Sequence, residues 1–411
     1  MSLKRFLPDS LISAYHLAIA LGGAFLYRFP SRSIKVIAVT GTKGKTSTSE
    51  MVSSILEAAG QKTALINSIR IKIGQKKQRN TIGRSMPGRA RLQKFLRDAV
   101  REKCAYAVIE MTSEGARQHR HRGIELDALV FLNLAPEHIE SHGSYEAYAD
   151  AKYELGLALA NSSKRPRAVI ASADDKESAR YLALPVESRI AFSLTKQEPW
   201  HASADGGTFT YEGRTIEVPQ PGEFSLKNAL AAAEVAYAFG ADLDAIQKGL
   251  ASLTRIPGRA ERIDAGQDFI VVVDYAHTPD SLEALCDAYP GRKICLLGSA
   301  GGGRDTWKRP VMGKTAEEKC EVVILTNDDP YDEDPQKIAD EIASGMTKRP
   351  DIILDRREAI RTAFSIARKG DTVLITGKGI DPIYGKGGAK IPWSDAEVAR
   401  EEIQRLRGGA L

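Results

Sequence analysis

The segment Ile34–Ser47, with the sequence IKVIAVTGTKGKTS, decides the fold expected for this chain. Its first half is apolar and rich in β-branched residues, which is typical of a strand buried in a parallel sheet. A loop with two glycines follows, and a helical pattern then runs from Ser47 to about Ala59. A strand, a glycine loop and a helix in this order indicate a phosphate-binding loop, because backbone N–H groups and the helix dipole favour an anion there.

The polar residues of this loop indicate which anion it binds. Lys45 supplies a cation for phosphates, and the Thr46 hydroxyl can hold Mg²⁺. The common spacing GxxxxGK[ST] would need a glycine where this chain has Val39, so the loop reads GxxGKT. A glycine turn with a solvated lysine is the alternative, but the flanking strand and helix favour a nucleoside triphosphate.

Composition places the chain among globular proteins. Its 411 residues suffice for about two to three domains, and 43% of them are apolar and 27% charged. The net charge of +5 is small, and the lack of a basic arm with interleaved aromatics argues against a nucleic-acid partner. The four cysteines have no CxxC spacing, so we expect neither a zinc site nor a disulfide framework, in keeping with the cytoplasm.

Residues 1–33 form an apolar segment that we expect to be helical. The stretch Leu11–Tyr27 carries no charge and is bounded by basic residues. A nucleotide-binding loop begins soon after it, which argues against an export signal, and the run is slightly short for a membrane span. Two interpretations stay open: a helix packed on the protein or on a dimer partner, or peripheral membrane contact through residues 11–29.

Strands and helices alternate over residues 34–258, which predicts a doubly wound α/β domain. A polar loop is expected over Gly74–Arg84 and a small edge hairpin over Phe209–Val218. The strands expected after the first are Thr63–Ile73, Tyr106–Met111, Ala128–Leu134 and Ala168–Ala171, and the helices are Arg89–Lys103, Glu146–Leu159 and Asn228–Ala238.

The composition changes near Pro257, and residues 259–411 contain a second series of strands, each followed by a polar turn and a helix. These strands are Phe269–Val273, Lys293–Leu297, Val322–Thr326, Ile352–Leu354 and Thr372–Thr376. The pattern predicts a Rossmann-like domain with functional loops at the carboxyl ends of its strands. The expected fold class is therefore α/β, with a central doubly wound P-loop ATPase domain followed by a smaller Rossmann-like C-terminal domain.

Acidic, imidazole and amine groups follow two strands of the first domain. Glu110 ends one strand, where a carboxylate near the phosphate loop is a natural ligand for nucleotide-bound Mg²⁺. After the next strand come Glu137, His138 and His142, and Lys152 lies on the following helix. Single histidines and lysines usually have structural or solvated roles, but their clustering beside the Glu110 strand favours a metal and phosphate site.

Eight motifs occur in a fixed order: VTGTKGKTS, EMTSEG…QHR, NLAPEHIESHG…AK, PGRAER, DYAHTPDSLE, GSAGGGRDTWKRP, NDDPYDEDP and GKGID. Together they resemble the Mur ligases, most closely the MurE group, from about Ile34 to the C-terminus. The resemblance implies that ATP phosphorylates a substrate carboxylate and that an amine then attacks the acyl phosphate to form an amide. In the MurE group this reaction adds the third amino acid to UDP-N-acetylmuramoyl-L-Ala-D-Glu.

The resemblance also implies roles for individual residues. Lys45 and the loop amides would hold the β- and γ-phosphates. Catalysis is implied for Lys45, Glu110, His138 and Lys152, with Thr46, Glu110, His138 and a carbamylated Lys152 as metal ligands. The residues implied at ATP are Gly41, Thr42, Lys43, Gly44, Lys45, Thr46, Ser47, Asn228, Arg259, Asp274, His277, Asp305 and Lys308, with Arg309 on the same C-terminal face.

Two further groups of residues match substrate positions of the family. Arg120 is the natural anchor for a carboxylate or phosphate, because its guanidinium can bind bidentately. The neighbouring His119, His121 and Arg122 are interpreted as a basic surface. The acceptor residues implied are Ser85, Ser113, Gln118 and Arg120, and the amino-acid residues are Asp328, Asp329, Pro330, Tyr331, Gly377 and Asp381.

Three departures from the MurE pattern are expected to matter. Typical members carry an N-terminal domain that holds uridine diphosphate, whereas residues 1–33 precede the first strand here, so we expect that domain to be lacking. Tyr331 replaces the arginine that pairs with the distal carboxylate of diaminopimelate, a loss of about 1.5 kcal/mol or more. Glu137 replaces an aspartate, which is a smaller change because the carboxylate is kept and only the length of the side chain differs.

The expected function is ATP-dependent amide ligation onto a muramoyl-dipeptide-type peptidoglycan precursor, with ATP and Mg²⁺ as cofactors. Two alternatives stay open: a folylpolyglutamate-synthetase-like or other amino-acid ligase without a sugar nucleotide, and a nucleotide-binding partner protein without catalysis. We expect small-molecule substrates, no nucleic acid, a monomer, and a cytoplasmic location in which membrane association is an open alternative.

Overall fold

The computed structural model of the protein describes residues 8–82, 85–137 and 139–408. The predicted metal ligand His138 lies outside these described residues. Within them, two sheets of eight and six strands carry most of the β-structure. Their connections determine which loops meet at the candidate site.

The first sheet contains the strand that precedes the phosphate loop. Its strands are β1 (Lys35–Thr40), β2 (Thr63–Ile66), β3 (Arg70–Ile73), β4 (Lys76–Arg79), β5 (Tyr106–Glu110), β6 (Ala128–Phe131), β7 (Ala168–Ser172) and β8 (Ser188–Phe192). Their spatial order is β4-β3-β2-β5-β1-β6-β7-β8, and the six strands from β2 to β8 in this order pair in parallel. The predicted doubly wound sheet is confirmed, and β1 lies inside it.

Helices cover both faces of this sheet. The helices of this part of the chain are α1 (Asp9–Leu26), α2 (Lys45–Ala58), α3 (Arg89–Arg101), α4 (Ser113–Arg117), α5 (Ile139–His142), α6 (Tyr145–Ala160), α7 (Ser178–Leu182), α8 (Glu223–Ala238) and α9 (Leu243–Ala251). One apolar core lies between the sheet and α2, α8 and α9, and a second lies between the sheet and α3, α4, α6 and α7. Burial on both faces explains why strands such as β1 are continuous apolar runs.

Two predictions near the edge of this sheet are wrong. Thr63–Ile73 is not one strand, because Asn67 Oδ1 accepts hydrogen bonds from the N–H groups of Ile69 and Arg70 and the chain reverses there. The polar segment that starts at Gly74 contains β4 and is not a loop throughout. The expected hairpin is present within a three-stranded sheet of β9 (His201–Ser203), β10 (Gly206–Tyr211) and β11 (Arg214–Val218).

The second sheet confirms the predicted Rossmann-like pattern. Its order is β12-β13-β17-β14-β15-β16, parallel except for the β12–β13 pair. The strands are β12 (Glu261–Ile263), β13 (Ile270–Val273), β14 (Lys293–Leu297), β15 (Val322–Leu325), β16 (Asp351–Ile352) and β17 (Thr372–Ile375), followed by the short pair β18 (Ile383–Tyr384) and β19 (Lys390–Ile391). The helices are α10 (Pro279–Asp287), α11 (Lys308–Lys319), α12 (Pro335–Ala343), α13 (Arg356–Ile366) and α14 (Asp395–Gly408).

The expected N-terminal helix is α1, which packs against α3 on the surface of the first domain. The two helices approach closely at Gly23, where a Cβ atom would lie 3.1 Å from the Cα atom of Ala90. His16, Ala20 and Ala24 are buried on the inner face of α1. Among the described residues, no helix is both long enough and apolar enough to cross a membrane.

The expectation of no disulfide is wrong for one pair of cysteines. Cys295 on β14 and Cys320 after α11 form a disulfide bond. The Cys286 sulfur lies 3.7 Å from that of Cys320, and all three side chains are buried. The sequence spacing did not reveal the pair, because the strand and the helix end become neighbours only when the second sheet forms.

Candidate active site

The carboxyl ends of strands from both sheets face a cavity of about 650 Å³. Loops after β1, β5 and β6 line one side, and the loop after β13 lines the other. Parallel α/β sheets usually bind their ligands at this end. The predicted site residues that line the cavity are Thr42, Lys43, Gly44, Lys45, Thr46, Ser47, Ser85, Glu110, Asn228, Arg259, Asp274, His277 and Asp381.

Two asparagines shape the phosphate loop. Gly44 has a φ of 81°, and a Cβ atom on it would lie only 2.2 Å from Asn228 Oδ1, so no larger residue fits. Asn133 Oδ1 accepts hydrogen bonds from the N–H groups of Thr42 (3.0 Å) and Lys43 (2.8 Å). Gly44 is also the N-cap of α2, so the unpaired N–H groups of the first helical turn border the cavity.

Lys45 lies inside the loop that it was predicted to serve. Its ammonium group donates to the carbonyl oxygens of Gly41 (3.0 Å) and Thr42 (2.9 Å). Burial lowers the pKa of Lys45, and the negative charges of Glu110 and Glu137 oppose this effect. The positive charge that would meet a phosphate therefore depends on two nearby carboxylates.

Glu110 meets the phosphate loop because β5 pairs with β1 and places Glu110 opposite Val39. The Glu110 carboxylate accepts a hydrogen bond from Thr46 Oγ1 at 2.8 Å. It also accepts from Ser68, through the N–H group and the hydroxyl, each at 3.0 Å. Hydroxyl and carboxylate oxygens are preferred Mg²⁺ ligands, so this donor set fits the predicted metal.

Lys152 reaches the back of the phosphate loop from α6. It is 2% exposed, and its Nζ atom donates to Gly41 O at 2.6 Å and lies 4.8 Å from the ring centroid of Tyr148. Burial and, as the second largest cause, the positive charge of Lys45 lower the pKa of Lys152 well below its usual value. A neutral amine is the form that reacts with CO₂, so this environment suits a carbamate.

A group of three side chains joins the two halves of the cavity. His277 Nε2 lies 2.6 Å from Glu137 Oε1, and Lys43 Nζ lies 3.2 Å from the same oxygen. His277 Nδ1 lies 2.7 Å from the carbonyl oxygen of Tyr275, and because both partners of the ring are acceptors, a neutral ring donates to one of them at a time. Burial, and next the charge of Lys43, lowers the pKa of His277 to about 4. The loop after β13 is thereby held against the phosphate loop.

Arg259 and Asp274 continue this wall of the cavity. The Arg259 guanidinium lies 4.6 Å from the ring centroid of Tyr275, and its Nη2 atom lies 3.5 Å from Thr46 Oγ1. Asp274 accepts hydrogen bonds from the backbone N–H groups of residues 260 and 276. Burial raises the pKa of Asp274, and the charge of Arg259 opposes this effect.

The remaining residues predicted on the C-terminal face do not line the cavity. Asp305 accepts a hydrogen bond from the first N–H group of α5 at 3.0 Å, which is a second link between the two sheets. Burial lowers the pKa of Lys308, which starts α11. Arg309 is fully buried and pairs with Glu333 and Glu341, so it stabilises the second domain internally.

Of the four predicted acceptor residues, only Ser85 lines the cavity. Ser113 is buried at the first position of α4. Arg120 is also buried, and its guanidinium donates to the carbonyl oxygen of Met86 and to Gln118 Oε1. Arg120 therefore supports the segment that carries Ser85 and does not itself border the cavity.

The interpretation of the neighbouring histidines as a basic surface is wrong. His119 Nε2 lies 2.7 Å from Ser13 Oγ on α1, and His121 is 2% exposed. Burial, and next the charge of Arg122, lowers the pKa of His121 to about 3. Neither ring nitrogen of His121 has a hydrogen-bond partner within the described part of the chain. His121 is therefore a neutral core residue.

We expect His121 to make stability depend on pH. Its folded-state pKa lies below the unfolded value of about 6.5, so the unfolded chain binds more protons and stability is lost as the pH falls through about 6.5. Between pH 7.5 and pH 5.5 this residue should remove about 1.4 kcal/mol from the free energy of unfolding. In urea unfolding, the free energy of unfolding of His121→Phe should fall between pH 7.5 and pH 5.5 by about that much less than it falls in the parent protein. An unchanged drop would contradict the neutral buried state.

The residues predicted for the amino-acid substrate cluster around Lys378. Its Nζ atom lies 2.7 Å from Asp329 Oδ1 and 3.6 Å from Asp328 Oδ1. Gly377 has a φ of 100°, and a Cβ atom on it would lie 2.5 Å from Asp328 Oδ2. Asp381 is the member of this group that reaches the cavity, and burial raises its pKa.

Tyr331 lies beside this cluster in a left-handed backbone conformation, with a φ of 52°. Its ring stacks on that of Tyr384 at 5.6 Å, and the Arg304 guanidinium lies 4.7 Å from its centroid. Pro330 packs against Gly301, where a Cβ atom would lie 2.3 Å from the Pro330 carbonyl oxygen. The side chain at position 331 is therefore a stacked aromatic ring and not a positively charged guanidinium group.

Among the residues of this region that were not identified from the sequence are Ser68, Asn133 and Lys378. Ser68 Oγ lies 2.7 Å from Ser85 Oγ and joins the acceptor side to Glu110. Each of the three lies two or three residues after the end of a parallel strand, β2, β6 or β17. That position was the one signal that could have found them, since their residue types are common in loops.

Two family models match the chain. The Mur ligase middle domain matches residues 39–236, and the Mur ligase, glutamate ligase domain matches residues 258–379. The chain is 36% identical over 406 residues to a UDP-N-acetylmuramoyl-L-alanyl-D-glutamate–2,6-diaminopimelate ligase of Syntrophomonas wolfei, covering 94% of this chain and 82% of that protein. It is 38% identical over 441 residues to a UDP-N-acetylmuramyl-tripeptide synthetase of a Roseiflexus species, covering 98% and 85%.

Solved structures agree with these matches. A structure of a UDP-N-acetylmuramoyl-L-alanyl-D-glutamate–2,6-diaminopimelate ligase superposes with a TM-score of 0.63 at 28% identity and covers 95% of this chain and 83% of that one. A Mycobacterium tuberculosis folylpolyglutamate synthase complexed with ADP superposes with a TM-score of 0.72 at 19% identity, covers 96% and 94%, and shows a shared fold alone. The chain belongs to the Mur ligase family and is an ATP-dependent ligase.

Proposed function

We propose that this enzyme adds an amino acid to a muramoyl-dipeptide-type peptidoglycan precursor while ATP is cleaved to ADP and phosphate. One observation carries the proposal: the phosphate loop, Ser85 and Asp381 line the same cavity. These residues represent the predicted ATP, acceptor and amino-acid positions, so three substrates would meet in one place. The names of the similar proteins, which refer to UDP-N-acetylmuramoyl peptides, support the same reaction class.

The reaction would proceed through an acyl phosphate. An acceptor carboxylate oxygen attacks the γ-phosphorus and ADP leaves; the amine then attacks the acyl carbon and loses a proton, and phosphate leaves. Lys45 and the N–H groups of the phosphate loop would hold the phosphates as their charge shifts. The contact between Glu137 and His277 would keep the cavity closed, because water would hydrolyse an acyl phosphate.

Thr46, Glu110 and a carbamylated Lys152 would hold Mg²⁺, together with His138, which lies outside the described residues. When bound, Mg²⁺ supplies positive charge beside the phosphate oxygens. The carbamate would form when the neutral Nζ amine adds CO₂ and releases a proton, which turns a neutral side chain into an anionic one. The burial that lowers the pKa of Lys152 supports this modification.

We propose that the amino acid added is not diaminopimelate, although that compound appears in the names of several similar proteins. Binding of its distal carboxylate would favour a cation at position 331, where this chain has Tyr331. The ring of Tyr331 stacks on Tyr384 and contacts the Arg304 guanidinium, and a phenol carries no positive charge that could pair with a carboxylate. We further propose that the enzyme acts as a cytoplasmic monomer on small-molecule substrates.

Mass spectrometry of the products tests the reaction and its specificity together. The enzyme is incubated with ATP, Mg²⁺, amino acids including diaminopimelate, and a muramoyl dipeptide with or without UDP. We expect a product heavier by one amino-acid residue, formed together with equimolar ADP and phosphate. Folate with glutamate is the comparison pair. Product from that pair alone would replace the proposal by a folylpolyglutamate-type activity.

Arg120→Ala should impair acceptor binding selectively. Its guanidinium donates to the carbonyl oxygen of Met86, so its removal frees the segment that carries Ser85. We expect the KM for the acceptor to rise about tenfold or more while the KM for ATP stays within about twofold. Arg120→Lys keeps the positive charge but loses the bidentate guanidinium, so its KM for the acceptor should lie between those of the parent and of Arg120→Ala. Equal changes in the KM for the acceptor and in the KM for ATP would contradict a role of Arg120 in acceptor binding.

A further inference from the structure

The outer face of α1 is an exposed apolar stripe. Its large side chains are Leu11 (55% exposed), Tyr15 (55%), Leu21 (46%), Phe25 (76%) and Leu26 (71%). They recur at helical spacing on one side, while the opposite side of α1 packs on α3. The stripe holds five of the eleven exposed large apolar side chains within the described residues. Such a concentration indicates a contact surface.

The surroundings of this stripe are basic. Arg28 and Arg32 follow the end of α1 and are exposed. The acidic residues of α1 and α3 are Asp9 and Asp98 alone. The basic residues on α1, the turn after it and α3 are Arg28, Arg32, Arg89, Arg91, Lys94, Arg97 and Arg101. The excess positive charge on these adjoining segments is therefore complementary to an anionic partner.

A second copy of the chain is a poor occupant of this stripe. Eighteen residues give a helix about 27 Å long, so a stripe about 10 Å wide offers roughly 300 Å². Stable protein interfaces bury about 800 Å² per partner. Two copies would also bring their arginine-rich elements together, which is repulsive.

An anionic bilayer surface would match both the apolar stripe and the positive charge next to it. Aromatic and aliphatic side chains on one helix face can enter the headgroup region, while flanking arginines pair with anionic lipids. Because the other face of α1 is held by the protein, the helix would lie in the plane of the interface. Ser13 Oγ lies 2.7 Å from His119 Nε2, so α1 is fixed to the loop that carries Arg120.

We propose that α1 is a docking surface for an anionic lipid bilayer, which it contacts through Leu11, Tyr15, Leu21, Phe25 and Leu26 with Arg28 and Arg32 at the rim. Docking would bring the acceptor side of the enzyme close to the membrane surface. This inference does not depend on the proposed reaction, since binding can be measured without turnover.

Vesicle sedimentation of the full chain tests the proposal. Vesicles of phosphatidylcholine are compared with vesicles that also contain about 30% phosphatidylglycerol, at low and high salt. We expect binding to the anionic vesicles that weakens in high salt. Replacing Leu21, Phe25 and Leu26 by serine should weaken this binding about tenfold or more. Ile391→Ser, at a residue 51% exposed on β19, is the matched control and should bind like the parent.

A second measurement is independent of the triple variant. Phe25→Trp should show a blue-shifted emission when anionic vesicles are added, because the indole would leave water. An unshifted emission, or equal sedimentation of the parent and the triple variant, would overturn the proposal. A dimer seen by light scattering that disappears in the triple variant, without vesicle binding by the parent, would assign the stripe to a second copy.

Discussion

Lys152→Ala should lower turnover by about 10³-fold or more while the protein keeps its fold. The lysine is 2% exposed and reaches the phosphate loop at Gly41 O. Lys45 donates to the same carbonyl oxygen, so that oxygen keeps a partner in the variant. The expected loss is therefore one of chemistry, measured as ADP release in the presence of both substrates.

Short carboxylic acids should partly restore the activity of Lys152→Ala. Truncation leaves space behind the phosphate loop, and acetate or formate can supply there the anion that the carbamate would have provided. The parent enzyme should in turn lose activity in CO₂-depleted buffer and regain it when bicarbonate is added. Restoration should saturate with the concentration of added acid, as expected for binding at one place.

Lys72→Ala is the control for removing a buried lysine. Lys72 is 9% exposed and donates to Ser53 and Glu57, away from the cavity. This variant should lose stability and keep turnover, and added acids should not affect it. If Lys152→Ala kept its activity, or if no acid restored it, the carbamate hypothesis would be wrong.

Local patterns were enough to predict the strand, the glycine turn and the helix of the phosphate loop. β1, the glycine turn and α2 follow one another in sequence, so their geometry depends on short-range preferences. The contact between Glu110 and Thr46 follows from one additional assumption, that the Glu110 strand lies beside β1 in a parallel sheet. The position of Lys152 was implied by the resemblance to the Mur ligases and not by periodicity.

Burial and strand register could not be predicted in the same way. A guanidinium at position 120 looks the same in sequence whether it faces a ligand or, as here, the carbonyl oxygen of Met86. The break of the Thr63–Ile73 segment depends on the side-chain hydrogen bonds of Asn67. The Cys295–Cys320 bond depends on which elements become neighbours in the second sheet. These features arise from tertiary contacts, which a single sequence does not display.

Glu110→Gln should also lower turnover by about 10³-fold, through a different cause. The carboxylate accepts three hydrogen bonds from Ser68 and Thr46, and an amide places N–H donors where these donors point. It also removes the negative charge that the Mg²⁺ site requires. We expect the Mg²⁺ concentration for half-maximal activity to rise about tenfold or more.

The same variant should change the pH dependence of kcat/KM for ATP, which reports the free enzyme. Glu110 opposes the effect of burial on the pKa of Lys45, so its neutralisation should lower that pKa further. Lys45 would then lose its proton at lower pH, and the alkaline limb of the profile should move to lower pH. Glu50→Gln is the matched control, because Glu50 is equally buried and pairs with Arg70 outside the cavity. Glu50→Gln should lose stability, and the alkaline limb of its pH profile should not move. An unshifted alkaline limb in Glu110→Gln would contradict the proposed effect of Glu110 on the pKa of Lys45.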